Sequence, residues 1–300
     1  MNNIINNLFY IGLLFFVLSE SNSIFLKENI LVFKAEENSS LAEVIKKNVS
    51  KRFYKHLKFI EAEFWIRGEQ KKLFVKVNAG EEIEVHYIEK TKENKWPISL
   101  KTPRIIFENE HYAIIDKEPN LLTIPIQANP TSLYQQLVAY FKSTDIHILN
   151  RLDRETSGLL VVAKDRYSAS LLEPPHQHIV RKYLCLVEGI LEQGGRIENY
   201  IAKCLDSNKR YVSSSKEGKL AISHYWVVKA FEDTTLLEFQ LETGRTHQIR
   251  VHASSIGHPI VGDKLYGSKA DGNLCLTSYY VEFEDPYTKE KISRRIKEAW

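Results

Sequence analysis

Ala221-Ile222-Ser223-His224-Tyr225-Trp226-Val227-Val228-Lys229-Ala230, followed after Phe231-Glu232-Asp233-Thr234 by Thr235-Leu236-Leu237-Glu238-Phe239-Gln240-Leu241, is the stretch that decides the fold. Both runs are rich in β-branched and aromatic residues at strand period two, and no helical stretch separates them. Working outward, Arg181 to Val187, Leu159 to Val162, Ala113 to Ile115 and Ile105 to Phe107 read as further strands. Ser132 to Phe141 reads as a helix, Asp165 caps another through Leu172, and a third runs from about Thr246 until Gly257 stops it. Adjoining strands with few helices between them predict an α+β domain with a mixed or antiparallel sheet and flanking helices, not a doubly wound parallel one.

At 300 residues the chain has room for two domains, and 43% hydrophobic with 26% charged residues is globular composition. Thirteen Gly and 9 Pro exclude a collagen-like or low-complexity chain. Cys185, Cys204 and Cys275 lie far apart with no C-x-x-C pair, which argues against a disulfide framework or a thiolate zinc site and for a reducing, cytoplasmic setting. A net charge of +3 is too small to announce a nucleic-acid partner, so the evidence for one must be local.

Residues 1–39 read as an amino-terminal extension. Its apolar run, 8–18, has the length of a signal-peptide core but no Lys or Arg before Lys27 and no clean cleavage pattern after it, so a weak signal, an anchor and a misassigned start all remain open. Residues 40–89 read as a small α/β module with Ser40 and Ser50 as N-caps. Lys51, Lys55 and Lys58 share one face of its second helix, with Phe53 and Leu57 on the other. Strands then follow at Phe64 to Arg67, along Leu73, Val75 and Val77, and along Ile83, Val85 and Tyr87. Between Ser40 and Lys101, 14 Lys plus Arg stand against 9 Asp plus Glu, an excess larger than that of the whole chain. A solvated face is the plain reading of such a helix and an RNA-binding face the sharper one. Residues 90–101 read as a linker, 102–290 as the catalytic unit, and 291–300 as a basic tail, a solvated helix in the plain reading.

Three segments carry chemistry. In Asn150-Arg151-Leu152-Asp153-Arg154-Glu155-Thr156-Ser157-Gly158 a carboxylate stands between two arginines before an apolar strand. Asp153 is either a turn-former or a carboxylate held ionised by Arg151 and Arg154. In Thr243-Gly244-Arg245-Thr246-His247-Gln248-Ile249-Arg250 a turn leads into a helix whose first amides can hold an anion, with Thr246 as a cap in the plain reading. In Arg181-Lys182-Tyr183-Leu184-Cys185, Tyr183 is an ordinary strand aromatic if taken alone.

Together and in this order, across about residues 102–290, these segments resemble the RluA-type RNA pseudouridine synthase family. His258-Pro259-Ile260-Val261-Gly262-Asp263-Lys264-Leu265-Tyr266-Gly267 adds to the match, and residues 40–89 resemble the alpha-L RNA-binding module that is a usual attachment there. The resemblance implies an isomerase that converts uridine in structured RNA to pseudouridine without a cofactor, with the target base flipped into the site. Large-subunit rRNA is the expected substrate; a tRNA-directed synthase and a non-catalytic RNA-binding protein on the same fold are the alternatives. It implies a catalytic Asp153, Arg245 paired with it, and Tyr183 stacked on the uracil. RNA contacts are expected from Lys51, Arg52, Lys55, Arg151, Arg154, His247, Arg250 and Lys264. A monomer away from membranes is expected, and no metal, since His176, His178, His247 and His252 lack a third ligand at metal spacing. The chain departs from the family pattern in having Asn150 where His is usual, Lys117-Glu118-Pro119-Asn120 in place of Lys-Pro-x-Gly, and Thr277-Ser278 and Asp285-Pro286 near the carboxyl end.

Overall fold

The computed structural model describes residues 11–16, 25–90, 96–97, 99–126, 131–174, 179–214 and 217–296. The first part comprises β1 (Ile11–Phe16), β2 (Phe25–Lys34), β3 (Ser39–Ser40), α1 (Leu41–Asn48), α2 (Lys51–Phe59), β4 (Glu63–Ile66), β5 (Glu69–Lys71), β6 (Lys76–Val77) and β7 (Glu82–Lys90). Five of its strands form an antiparallel sheet in the order β1-β2-β7-β4-β5, and β3 pairs with β6. Ser40 caps α1 in a capping box with Glu43, and the Ser50 hydroxyl accepts from the Phe53 amide at 3.2 Å. In β7, Ile83, Val85 and Tyr87 are buried on one face, as their alternation requires.

Three expectations for this part need correction. The module does not start at Ser40: β2 pairs with β7 from Leu26 opposite Lys90 to Lys34 opposite Glu82, and its Leu31 and Phe33 are buried in the core. Of the apolar run 8–18, Ile11–Phe16 is a strand paired with β2, and the rest of the run lies outside the described residues. Leu73 and Val75 are not in a strand; a turn closed by the Val75 amide on the Lys72 carbonyl precedes the two-residue β6.

The second part comprises β8 (Arg104–Glu108), β9 (Tyr112–Lys117), α3 (Leu133–Phe141), β10 (His147–Ile148), β11 (Ser157–Ala163), α4 (Arg166–Leu171), β12 (Val180–Glu188), β13 (Gly195–Lys203), β14 (Arg210–Ser213), β15 (Lys219–Ala230), β16 (Thr234–Leu241), α5 (Gln248–Ser255), a 3₁₀ turn (Lys264–Tyr266), β17 (Leu276–Glu284) and β18 (Lys291–Arg295). One sheet runs β14-β13-β15-β16-β12-β17-β11-β9-β8, with β10 on β11 and β18 on β17. The β11–β17 pair is parallel and the other strand pairings are antiparallel, so the fold is mixed α+β as the sequence predicts. The expected helical tail is corrected: Lys291–Arg295 extends the sheet along β17 and buries Ile292. Residues 297–300 lie outside the described residues.

β9 and β11 are buried on both faces, which explains their unbroken apolar sequences. On one face Ala113, Ile115, Leu160 and Val162 pack with α3 and α5 through Leu133, Leu137, Ile249 and Ala253. On the other, Tyr112, Ile114, Leu159 and Val161 pack with Ala169 and Leu172 at α4.

The amino-terminal sheet and its helices rest on α4. Tyr167 and Leu171 of α4 belong to the same buried cluster as Phe53, Val85 and Tyr87, with the Phe53 and Tyr167 rings 5.7 Å apart. Arg166 Nε donates to Glu89 at 3.1 Å and the Ser50 hydroxyl donates to Glu173 at 2.8 Å. The expected linker begins where β7 ends at Lys90; residues 91–95 and 98 lie outside the described residues.

Candidate active site

The approach to β11 is a loop hung from three supports. Asn150 Oδ1 accepts from the Val161 amide at 2.8 Å, the Thr123 hydroxyl donates to the Leu152 carbonyl at 2.7 Å, and Lys117 Nζ donates to the carbonyls of Glu118, Leu121 and Arg154. Asp153 sits between these anchors. Asn120 adopts φ 62°, the left-handed position at which Asn can stand for Gly. Gly158 closes the loop at φ 108°, where an added Cβ would lie 2.2 Å from the Ser278 carbonyl oxygen, so only glycine lets β11 approach β17.

β12 supplies the aromatic group. Its pairing with β17 shifts register between Lys182 and Tyr183, with Tyr279 as the extra residue on β17, so β12 itself keeps its alternation. Tyr183 is buried, and burial raises its hydroxyl pKa, opposed first by the positive charge of Arg181. Arg181 lies two residues earlier on the same face of the strand.

The third element is the turn before α5. The Gln248 side chain accepts from the Thr243 hydroxyl at 2.8 Å and the Arg245 amide at 2.9 Å, and donates to the Ile222 carbonyl and the Ser223 hydroxyl. His252, one turn on, contacts Ser223 and Asn199 and is held neutral, its pKa pushed down by burial to about 4. These contacts lock α5 to β13 and β15. The helix begins at Gln248, not at Thr246; its N-cap is His247 in the left-handed region, and no side chain caps it. His247 Nδ1 meets Tyr266 Oη at 2.8 Å. Arg250 is buried, its Nε and Nη2 each 2.7 Å from an oxygen of Asp263, with Nη1 3.5 Å from Glu155.

These elements surround one cleft of about 1490 Å³, lined by Asp153, Tyr183, His247 and Arg250. It exceeds the roughly 300–1,000 Å³ of ordinary small-molecule pockets and has room for several nucleotides. Burial pushes the Asp153 carboxyl above the usual aspartate range, while His247 and then Arg250 act against that rise. Burial in turn lowers the His247 pKa, against the pull of Asp153.

Two expectations about charge are therefore corrected. The guanidinium acting on Asp153 belongs to Arg250, not Arg245, because Arg245 is exposed on the turn and its Nε donates to the Leu220 carbonyl at 2.8 Å. The charges that favour the Asp153 carboxylate come from Arg250 and Lys117, and from His247 when it is protonated, not from the flanking Arg151 and Arg154, which are exposed. Among the residues expected to meet RNA, Arg52, Arg151, Arg154, His247, Arg250 and Lys264 line the cleft, while Lys51 and Lys55 do not. Arg52 is 3.4 Å from Glu173 and Lys264 is 2.7 Å from Asp271. With its fork engaged by Asp263, Arg250 is an internal ion pair instead of the expected phosphate contact. His176 and His178 lie outside the described residues.

Sequence reasoning missed Lys117, Asp263 and Arg181 as parts of the site. A lysine ending the apolar run Ala113-Ile114-Ile115 was the available signal for the first; burial pushes its pKa down to about 8. Strand period two, counted back from Tyr183, was the signal for Arg181. Among the described residues, Asn150 Nδ2, Thr156 Oγ1 and Arg181 Nε are buried without a hydrogen-bond partner, and all three residues line the cleft.

Residues 111–255 match the family described as RNA pseudouridylate synthase. The uncharacterized RNA pseudouridine synthase YjbO of Bacillus subtilis is 33% identical over 81% of this chain and 89% of its own length. Ribosomal large subunit pseudouridine synthase D of Buchnera aphidicola subsp. Schizaphis graminum is 34% identical over 75% of this chain and 71% of its own length. Among solved structures, Human RNA Pseudouridylate Synthase Domain Containing 1 shares the fold with a TM-score of 0.56 at 23% identity, covering 67% of this chain and 86% of that one.

Proposed function

This chain belongs to the RNA pseudouridine synthase family, and from that premise we propose that it isomerises uridine in large-subunit ribosomal RNA through Asp153. It is an isomerase acting on RNA. The rRNA target is supported by the likeness to the Buchnera ribosomal large subunit pseudouridine synthase D, and a cytoplasmic site of action goes with that substrate.

The reaction breaks the N1–C1′ bond of uridine, turns the ring, and forms C5–C1′, while the proton on C5 leaves and N1 gains one, so that substrate and product have the same atoms. Asp153 is the proposed catalytic carboxylate, acting at the sugar as nucleophile or base. Arg250 takes the pairing role first expected of Arg245, oriented from behind by Asp263 and favouring the carboxylate. Tyr183 is proposed to pack against the detached uracil. A stacked uridine cannot reach such a site, so the nucleotide flips out at a cost of a few kcal/mol, which backbone contacts offset. Arg52, Arg151, Arg154 and Lys264 are the proposed RNA-facing cations of the cleft.

The observation that carries the reading is the meeting of Asp153, Tyr183 and Arg250 in one cleft wide enough for a flipped nucleotide and its neighbours. Tritium release from C5-labelled uridine in RNA from cells lacking this gene tests it. The wild-type chain releases the label and Asp153→Asn does not. Equal release by both removes Asp153 from the chemistry, and no release by either from ribosomal RNA removes the proposed substrate.

A further inference from the structure

The cleft is rich in cations, and most either have an acceptor in the protein or stand exposed to solvent. Arg250 is held by Asp263, Lys264 by Asp271 and Arg52 by Glu173. Arg245 donates to the Leu220 carbonyl and Arg210 to that of Asn208. Arg151 and Arg154 are exposed, where water solvates them. Arg181 is different. It is half-buried, its Nε is inaccessible to solvent and unpartnered, and among the described residues no carboxylate lies within ion-pair distance of it. Its guanidinium lies along the Thr243-Gly244-Arg245 turn, with Nη1 3.5 Å from where a Cβ at Gly244 would stand.

A desolvated guanidinium N–H without an acceptor is unfavourable, and a guanidinium without a counter-charge is more so. The group is therefore built for a ligand that brings an anionic acceptor. RNA offers one such group, the phosphodiester. Two residues of strand, about 6.6 Å, separate Arg181 from Tyr183 on the same face. That is on the scale of the step from a base to its own backbone phosphate.

We propose that Arg181 clamps a backbone phosphate next to the flipped uridine, holding the nucleotide by its backbone while Tyr183 meets the base. The proposal rests on the reading of the chain as an RNA isomerase that uses Tyr183. Arg181 is a binding and positioning residue in it. A planar fork suits two phosphate oxygens, whereas a neutral uracil carbonyl would leave the charge uncompensated.

The test compares the full chain with Arg181→Gln, Arg181→Lys and Asp153→Asn, on in-vitro transcribed large-subunit ribosomal RNA carrying C5-tritiated uridine. Binding is measured across a salt series, tritium release in parallel, and thermal unfolding shows that each variant is folded. Arg181→Gln weakens binding about tenfold or more at low salt. It also makes the slope of log affinity against log salt shallower by about 0.7–0.9, the value of one phosphate contact. Arg181→Lys keeps the wild-type slope because it keeps the charge. A Gln variant with an unchanged slope overturns the clamp, whatever its turnover, because loss of a merely structural contact removes no counterion release. Release of tritium by Asp153→Asn overturns the role of Asp153, and none by wild type overturns the ribosomal RNA substrate; either leaves the salt slopes to decide Arg181 separately.

Discussion

Arg250 and Asp263 meet side-on, two parallel 2.7 Å hydrogen bonds joining guanidinium Nε and Nη2 to the two carboxylate oxygens, with both residues buried. The contact fixes the cation on α5, with its Nη1 3.5 Å from Glu155. Removing one partner of a buried pair strands the other charge, and Asp263→Ala is expected to lose about 3–5 kcal/mol in denaturant unfolding. Asp263→Asn keeps one acceptor oxygen and is milder. It should lower single-turnover tritium release more than RNA affinity, since the exposed cations of the cleft are untouched. An affinity falling in step with turnover would contradict the orienting role.

The pH dependence of turnover follows from the raised pKa of Asp153. If the carboxylate is the working form, the rate rises with pH through a midpoint above the usual aspartate range. Glu155 is a like charge that contributes to the rise, so Glu155→Gln should move the midpoint down. Tritium release measured from pH 4 to 8 checks both. A rate flat throughout that range for the wild type, or a midpoint moved upward by Glu155→Gln, would count against Asp153 as the titrating group.

His252 makes stability depend on pH in a defined window. Its pKa is near the ordinary imidazole value in the unfolded chain and about 4 in the fold, so the unfolded state binds the extra proton between the two. Its contribution is complete above pH about 6.5 and is lost as pH falls toward 4, up to about 3 kcal/mol at about 1.4 kcal/mol per unit. Urea unfolding at pH 7, 5.5 and 4.5 reads this, and His252→Asn should flatten the curve there. An equally steep fall in the variant would assign the loss to other groups.

Gly158→Ala is expected to be among the most damaging single substitutions. Its backbone is strained for any L side chain, and the new methyl group meets the Ser278 backbone at a distance that allows no contact. The loss should be about 3 kcal/mol or more, because β11 and β17 must separate and carry the Asp153 loop with them. Gly68, with φ 75° and open space around its Cβ, is the control: Gly68→Ala bears the strain of its conformation alone. Similar unfolding midpoints for the two variants would refute the close-approach argument.

That Asp153 and Tyr183 share one cleft could be expected from the resemblance and not from either segment alone, since a carboxylate on a turn and an aromatic in a strand are ordinary. The partner arginine was not legible in the sequence. Arg245 and Arg250 stand in one motif five residues apart, and it is the fold that leaves Arg245 exposed on the turn and buries Arg250 in α5. β2 escaped notice because Glu28 and Asn29 interrupt its apolar pattern. In the fold Asn29 is buried, its amide donating to the Lys27 carbonyl at 2.9 Å. β18 escaped because four of its five residues are polar, and a single Ile292 gives no period.

The position of β2 between β1 and β7 bears on how this chain can be shortened. A protein begun at Ser40 would retain α1, α2 and the basic face, yet bare one side of β7 along the whole length that β2 now covers. Unpaired amides and carbonyls beside Ile83, Val85 and Tyr87 would form an open template for strands of other molecules. Self-association of such a fragment would reflect the missing strand, and its RNA binding would be that of an aggregate.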